Sequence, residues 1–411
     1  GGTSAAKNYM PTNSNSVVLT GDIEANINAG TSVTITTAGA ANNPGTEAGD
    51  ITITNALAFA NNSDTNATLS LIADNGIIQK TGASITTSAV ANKKGLVHVS
   101  MEAKGNSSAS SDGININAGI TTNGNITLIG STTKDGNEGV YIAGVLLKAQ
   151  NIDITGTATG AFKAGTAEHA KGIRSYGGTL NADDKITLKG TSTNVTGVGL
   201  EVGSVTAGGV TAGGPVLIDA KTTNGQYQGA NISAPVTGAS VKITGNSRDR
   251  IGVDINANVT ATDGNLVIDG TSVNSLGVGI ANGRIVRSNS ADVSITGKSL
   301  FSDGINVGNK GAAQVIAAKN IKLDGKGASG GVRTWAASLL TAGSTGSGGV
   351  LGDITILGEA TTGSGVIFQQ WITSARLKAS NNIDINGTVT GGAGSGSGVQ
   401  TLTSETNGQS V

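Results

Sequence analysis

Few side chains in this sequence could do chemistry, and their spacing argues against a catalytic centre. Sugar-cleaving enzymes need paired carboxylates, and three aspartates, Asp219, Asp269 and Asp324, recur at one place in a repeated motif. Thr244 and Thr296 occupy that place in the intervening copies, so carboxylates never fall in neighbouring copies. We therefore expect solvated surface aspartates, and we do not expect an enzyme.

Metal and cofactor sites are not indicated either. The two histidines, His98 and His169, are far apart, and the chain has no cysteine, whereas a structural metal site needs clustered ligands. Calcium-binding repeats of the Gly-Gly-x-Gly-x-Asp type do not occur. The sequence predicts no catalytic, cofactor-binding or metal-ligating residue.

One group of residues is a candidate contact site for a partner. The only tryptophans, Trp335 and Trp371, fall on the same repeated strand in consecutive copies. Alternation along a strand places Arg333 and Gln369 on their face. Trp and Arg are enriched at binding hot spots, so these four residues could form a binding patch. The alternative is that the tryptophans pack beneath a long loop.

A repeat of about 28 residues must position these side chains. Its first motif reads apolar, variable, apolar, variable, Gly, as in residues 126–130. From Gly130 to Gly387, nine steps cover 257 residues, a mean of about 28.6. The two apolar columns contain only Ile, Leu and Val, and the column between them is mostly polar. This alternation is typical of a strand with one buried face.

Two further strands per repeat are indicated. A Gly-Val or Gly-Ile motif, such as Gly252-Val253, usually follows the first motif after about seven residues, and a looser apolar segment, such as the one at Val259, comes next. Short strands of this kind bury their apolar faces only by stacking copy upon copy. The pattern predicts an all-β fold, a right-handed parallel β-helix with three short strands per coil. Ten coils at ~4.8 Å each would form a rod of roughly 50 Å.

The regular repeat does not extend over the whole chain. Residues 113–411 keep the register, whereas residues 1–112 keep the composition but alternate at irregular spacings. We expect longer, decorated coils in residues 1–112. Helices are disfavoured throughout, because Gly, Thr, Asn and Ser dominate the spacers.

Charge and hydropathy exclude two classes of partner. The 26 Lys and Arg balance 27 Asp and Glu without a basic stripe, so no nucleic-acid partner is expected. No apolar run approaches the ~18 residues that a membrane span needs.

The chain starts with Gly1-Gly2-Thr3, which is neither an initiator methionine nor a signal peptide. We therefore expect an internal or processed piece of a longer protein.

Several segments resemble a known family. Residues 49–54 with 67–71, 113–128, 318–323 and 379–385 are similar to the large exoproteins of two-partner secretion, the filamentous-haemagglutinin-like and high-molecular-weight-type adhesins of Gram-negative bacteria. The resemblance is one of pattern and covers essentially the whole chain. The family's Asn-Pro-Asn secretion motif is not matched, the nearest stretch being Asn42-Asn43-Pro44-Gly45, which places the chain downstream, in the shaft.

The resemblance implies an adhesin, secreted or tethered at the bacterial cell surface, with a role in virulence. Its partners would be a protein or glycan receptor on a host or neighbouring cell, and the outer-membrane transporter that exports such proteins. Two alternatives stay open: an exoprotein that binds a host haem carrier, and the stalk of a contact-dependent toxin.

Overall fold

A computed structural model describes most of the chain and divides it into two compact units, Gly1–Gly214 and Pro215–Val411. Each unit is a parallel β-helix in which every complete coil contributes one strand to each of three sheets. We number the sheets 1 to 3 in the order in which a coil visits them. The described residues are 6–12, 15–37, 49–105, 112–161, 170–201, 209–224, 227–308, 311–335, 337–343, 350–370, 375–391 and 396–403.

The first unit contains nineteen described strands and one helix. Sheet 1 comprises Ala6–Tyr9, Ser32–Thr36, Ala67–Ala73, Val97–Ala103, Asn125–Thr132, Asn151–Ala158 and Ile186–Ser192. Sheet 2 comprises Ile51–Ile53, Ile77–Gln79, Ile114–Ile116, Val140–Ala143, Ile173–Tyr176 and Val198–Glu201. Sheet 3 comprises Leu57–Phe59, Ile85–Thr87, Ile120–Thr121, Leu146–Ala149, Thr179–Ala182 and Gly209–Ala212.

The second unit repeats the arrangement with twenty described strands. Sheet 1 comprises Val216–Thr222, Val241–Ser247, Leu266–Ser272, Val293–Ser299, Ile321–Gly327, Ile354–Ala360 and Ile383–Val389. Sheet 2 comprises Ala230–Ile232, Val253–Ile255, Val278–Ile280, Asp303–Val307, Gly330–Trp335, Ser364–Gln370 and Val399–Thr403. Sheet 3 comprises Val236–Gly238, Val259–Ala261, Ile285–Ser288, Gln314–Ala317, Leu339–Ala342 and Arg376–Ala379.

The strands pair in register with their copies one coil away, which confirms the three-strand parallel β-helix. In the second unit Ile268 lies beside Ile295, and both side chains are fully buried. In the first unit Val33 pairs with Leu69 and Leu69 with Val99, so stacked coils of 36 and 30 residues already precede residue 113. The Ile, Leu and Val columns read from the sequence form the core of each unit.

The glycine that ends the first motif lies at a corner where the backbones of sheets 1 and 2 nearly touch. A Cβ atom at Gly270 would overlap the carbonyl oxygen of Gly277 and lie 2.6 Å from Val278 Cγ2, well inside contact distance. Gly190 and Gly245 stand in the same relation to the Gly-Val motifs that follow them. Glycine at these first-motif positions is therefore favoured by close packing between two backbone segments of one coil, whereas a Cβ atom at the second-motif Gly277 would meet the backbone of the next coil, 2.3 Å from Lys298 N.

Three coils carry alanine in the register of this glycine, namely Ala73, Ala103 and Ala220, and the coil of Ala220 differs from the other two in also having alanine after its second-motif glycine. Ala220 fills the corner position, and the second motif of that coil reads Gly229-Ala230 instead of Gly-Val or Gly-Ile. Both alanines are buried. In most of the coils with glycine at the corner, a Cβ atom there would meet a γ-carbon of the valine or isoleucine that follows the second-motif glycine. Ala230 has no γ-carbon, so the Cβ atom of Ala220 does not meet one.

Buried serines just after this corner are bonded to backbone of the same and the preceding coil. Ser272 Oγ donates to the carbonyl oxygen of Arg250 at 2.6 Å and accepts the N–H of Ser275 at 3.0 Å. Ser192, Ser247 and Ser299 make the same pair of bonds in their coils. A buried hydroxyl is tolerated there because its hydrogen bonds are satisfied.

Asn and Asp side chains link coils at the entrance to sheet 1. The side-chain oxygen of Asp292 accepts the N–H of Asn320 at 2.9 Å, and that of Asn320 accepts the N–H of Asp353 at 3.0 Å. The Asp353 carboxylate accepts the N–H of Asn382 at 2.9 Å. Each residue in this ladder thus satisfies a backbone donor of the next coil at a turn where strand pairing has not yet begun.

One helix, α1 (Thr20–Asn28), is absent from the sequence prediction. Its buried Ile23 and Ile27 are one turn apart, and its polar side chains bond the edge strand Leu57–Phe59 and the residues after it. Glu24 Oε1 accepts the N–H of Ala58 at 2.8 Å, and Asn28 Oδ1 accepts the N–H of Ala60 at 2.6 Å. The helix therefore covers a sheet edge whose donors would otherwise stay open. No described helix is both long and apolar enough to cross a bilayer.

The face assignment predicts unequal effects for neighbouring substitutions. Ile295→Asp should lower the free energy of unfolding by about 3–5 kcal/mol, because an unpaired carboxylate would enter the dry core. Ser294→Asp, on the outward face, should be nearly neutral. Chemical denaturation of both variants measures the difference, and similar losses would contradict the assignment.

The glycine corner predicts a partial rescue. Gly270→Ala should cost about 3 kcal/mol, because a methyl group must force the two backbone segments apart. Adding Val278→Ala, which reproduces the Ala220 and Ala230 arrangement, should recover part of that loss. Thermal midpoints of the single and double variants test this, with the exposed Thr271→Ala as the control. A double variant less stable than either single variant would rule out the compensation.

Candidate functional site on the outer face of sheet 2

The outer face of sheet 2 is buried at several positions and holds charged side chains. Every residue of the strand Asp303–Val307 is buried, including those that point away from the core. Glu138 and Lys171, one residue before the motif glycines of their coils, are also buried. Strand alternation alone does not predict this burial, because the residues that point outward from the other strands are mostly polar and solvated.

In the first unit an arginine joins three coils on this face. Arg174 Nη1 donates to Glu138 Oε1 of the preceding coil at 3.3 Å, and its Nε donates to Glu201 Oε2 of the following coil at 3.1 Å. Its guanidinium also lies 5.5 Å from the ring centre of Tyr141 and 5.1 Å from that of Tyr176. Ion pairing and cation–π contact together hold Arg174 in place.

Lys171 completes this group, which we call the Arg174 cluster (Glu138, Lys171, Arg174 and Glu201). Its Nζ contacts Glu201 Oε1, and the side chains of Lys171 and Glu201 are 6% and 18% exposed. Glu138 and Lys171 occupy equivalent positions in neighbouring coils, since Val140 pairs with Ile173 two residues later. Glu201 thus contacts both Lys171 and Arg174, whereas Glu138 contacts Arg174.

Burial shifts the titration of two members of the cluster towards their neutral forms. It raises the pKa of Glu138 to about 9, assisted by the nearby Asp112 carboxylate and opposed by Arg174 and Lys171. It lowers the pKa of Lys171 to about 7, assisted by Arg174 and opposed by Glu138. Burial thus favours the protonated carboxyl of Glu138 and opposes the charge on Lys171, while the Glu201 carboxylate in contact with Nζ favours that charge.

The second unit holds a related arrangement around the predicted contact residues. Arg333 donates from Nε to Asp303 Oδ2 at 2.7 Å and from Nη2 to Asp303 Oδ1 at 3.3 Å. Its Nη1 donates to Gln369 Oε1 of the following coil at 2.9 Å. The side chains of Arg333 and Asp303 are 19% and 7% exposed. The structure thus brings Arg333 and Gln369 together.

Of the two tryptophans in the predicted contact patch, the structure describes one. Trp335 pairs with Gln369 across the coils, and its side chain is only partly exposed, with an indole N–H that is buried and bonded to no acceptor. The residues on either side of Arg333, Val332 and Thr334, are buried, so Arg333 and Trp335 share the outer face as predicted. Trp371 lies outside the described residues.

A short sequence signal marks both clusters. Residues 172–176 read Gly-Ile-Arg-Ser-Tyr, and residues 331–335 read Gly-Val-Arg-Thr-Trp. Each arginine reaches back to an acid that precedes a motif glycine by one residue, Glu138 or Asp303. Each also reaches forward to a residue four positions after the next glycine, Glu201 or Gln369. The second unit differs in having Gly330 where the first has Lys171.

The other chemistry-bearing residues do not converge. Asp219, Asp269 and Asp324 occupy one column with Thr244 and Thr296 between them, as predicted. His98 Nδ1 accepts the N–H of Asn125 at 3.0 Å, a link between coils, and His169 lies outside the described residues. Within the described ranges, no three His, Cys, Asp or Glu side chains gather in a group able to hold a metal ion.

The sequence matches no known protein-family model, and a search of curated proteins finds no relative. Membership of the two-partner-secretion adhesins is therefore a proposal.

The buried Glu138 predicts a specific pH dependence. The folded chain keeps a proton that the unfolded chain releases near the ordinary pKa of 4.5, so the contribution of Glu138 to stability should fall as pH rises from about 4.5 to about 9, whereas the lowered pKa of Lys171 adds an opposite contribution above about pH 7. Glu138→Gln should flatten this decline. Calorimetry across that range tests the difference, with Glu359→Gln of the exposed Lys326–Glu359 pair as the control. Parallel profiles for wild type and Glu138→Gln would contradict the assignment.

Proposed function

We propose that this chain is part of the shaft of a bacterial adhesin, secreted or tethered at the cell surface and exported through an outer-membrane transporter. Its partner would be a protein or glycan receptor on a host or neighbouring cell. The proposal rests on the pattern shared with the two-partner-secretion exoproteins and on one structural observation, the in-register repetition of outward-facing polar residues. Catalysis has no part in it.

The repeated surface is clearest on sheet 1 of the second unit. Lys242, Val267, Ser294, Lys322 and Thr355 occupy one outward column, each paired with the next across a single coil. Such a column offers outward side chains, four of these five polar, at one strand spacing, ~4.8 Å. Many weak contacts of this kind become strong attachment only when several are made together.

Multivalency gives the proposal a direct test. Beads coated with the chain should attach to receptor-bearing cells, and soluble chain should compete only at concentrations 10²-fold or more above those of the bead-bound form, on the order expected for avidity. Beads that attach to no host or bacterial cell type would contradict adhesion. Equal potency of soluble and bead-bound chain would indicate one tight site instead of a repeated surface.

The same assay examines the predicted contact patch. Trp335→Ala combined with Trp371→Ala should weaken attachment at an unchanged thermal midpoint, because Trp side chains dominate binding energy at contact surfaces. Phe301→Ala removes an exposed aromatic elsewhere in the second unit and is the control. A lowered midpoint with full attachment would show that the tryptophans serve packing alone.

The two alternative functions have their own readouts. Capture of a haem carrier predicts a pull-down of that protein by the soluble chain, and a toxin stalk predicts loss of growth inhibition in a competition assay when the segment is deleted. Neither is favoured by a particular contact in the structure.

A further inference from the structure

We propose that Lys171 and Glu201 become joined by an intramolecular amide bond that ties two neighbouring coils of the first unit together. The inference does not depend on the adhesive function, because it concerns a modification within the fold. It follows from the contact between the two side chains, their burial, and the groups that surround them.

The reacting groups are already in contact; Lys171 is buried and Glu201 is partly buried. Lys171 Nζ lies against Glu201 Oε1, while Arg174 Nε donates to the other carboxylate oxygen at 3.1 Å. Pairing with Tyr176 fixes the backbone of Glu201, and the backbone around Lys171 is held by the bonds Gly139 N–H to Lys171 O and Gly172 N–H to Thr196 O. Groups held at contact distance react with effective concentrations far above those available in solution, which offsets the tendency of water to hydrolyse an amide.

Two features of the cluster favour the neutral forms that an amide needs. Burial lowers the pKa of Lys171, assisted by Arg174 and opposed by Glu138, which makes loss of the proton from Nζ easier. A buried ion pair is also costly, because both charges have left water. Conversion of the pair to a neutral amide removes that cost.

The condensation balances without any further reactant. A proton passes from Lys171 Nζ to Glu201 Oε1, and the resulting amine attacks the Glu201 carboxyl carbon. Negative charge that develops on Oε2 is stabilised by the Arg174 guanidinium. The carboxyl of Glu138 returns a proton to the departing Oε1 hydroxyl and takes one from Nζ, so the products are one amide and one water molecule.

Glu138 suits this role because it occupies the position equivalent to Lys171 in the preceding coil. Its raised pKa, about 9, keeps it protonated at neutral pH. Arg174 bridges Glu138 and Glu201 from the coil between them, which brings the acid and the reacting carboxyl into one cluster. Glu138 is therefore expected to govern the rate of bond formation but not its position.

The chain contains natural controls. Lys326 and Glu359 form an ion pair at 2.7 Å, but their side chains are 57% and 37% exposed, so both charges stay solvated and no amide is expected. The Arg333 arrangement has Gly330 in place of the lysine and lacks a nucleophile. Among these three groups, only the Arg174 cluster combines a buried amine, a partly buried carboxyl and a neighbouring acid.

Intact-mass spectrometry of the purified full chain tests the proposal. The mass should fall short of the sequence mass by one water molecule, and proteolysis should yield a branched peptide that joins Lys171 to Glu201. Lys171→Arg, which keeps the positive charge, should restore the full mass. Glu138→Gln should slow the mass loss after refolding, and peptides with Lys326 and Glu359 should stay unlinked.

Two results would overturn the proposal. The first is a wild-type chain that retains its full sequence mass after prolonged incubation in the folded state at neutral pH. The second is a water loss that fragmentation maps to an Asp-Gly step such as Asp263-Gly264, where an aspartate can close onto the following amide. The wild-type measurement decides the matter even if a variant fails to fold.

Discussion

The close approach of two backbone segments at the glycine corner is the constraint on which the rest of each unit depends. At Gly270 and Gly277 sheet 1 gives way to sheet 2 with no room for a side chain between them. This contact brings the Ile and Val side chains of both strands within reach of one another across a thin interior. It also places Ser272 beside the carbonyl of Arg250, so that the buried Ser272 hydroxyl donates a hydrogen bond to that backbone oxygen. A chain with few aromatic residues can fold in this way because its core is narrow.

The repeat made most of the fold predictable. Alternation of Ile, Leu and Val with polar residues identified the strands of sheet 1, and their spacing required stacking. The helix at Thr20–Asn28 escaped prediction because its amphipathic signal consists of two residues, Ile23 and Ile27. Its role depends on an edge strand, Leu57–Phe59, that is distant in sequence.

The candidate site was harder to predict for a different reason. Arg333 and Gln369 were placed on one face by strand alternation, and the structure joins them by a hydrogen bond. Glu138 and Lys171 were missed, because charged residues beside glycine-rich turns are usually solvated. Their burial results from contacts between three successive coils, which no local pattern encodes. The recurrence of Arg two residues after a motif glycine, with an aromatic residue two positions later, is the signal that would have revealed both clusters.

The glycine corner also separates what must stay constant in a coil from what can vary. Between the two glycines the connection ranges from five residues, between Gly325 and Gly331, to fifteen, between Gly156 and Gly172, while the contact between the backbones persists. An insertion at this place lengthens a surface loop without disturbing the register of any strand. New loops can therefore be acquired one coil at a time, and each would emerge beside the outer face of sheet 2. The loops can therefore differ from coil to coil while the strands keep their register.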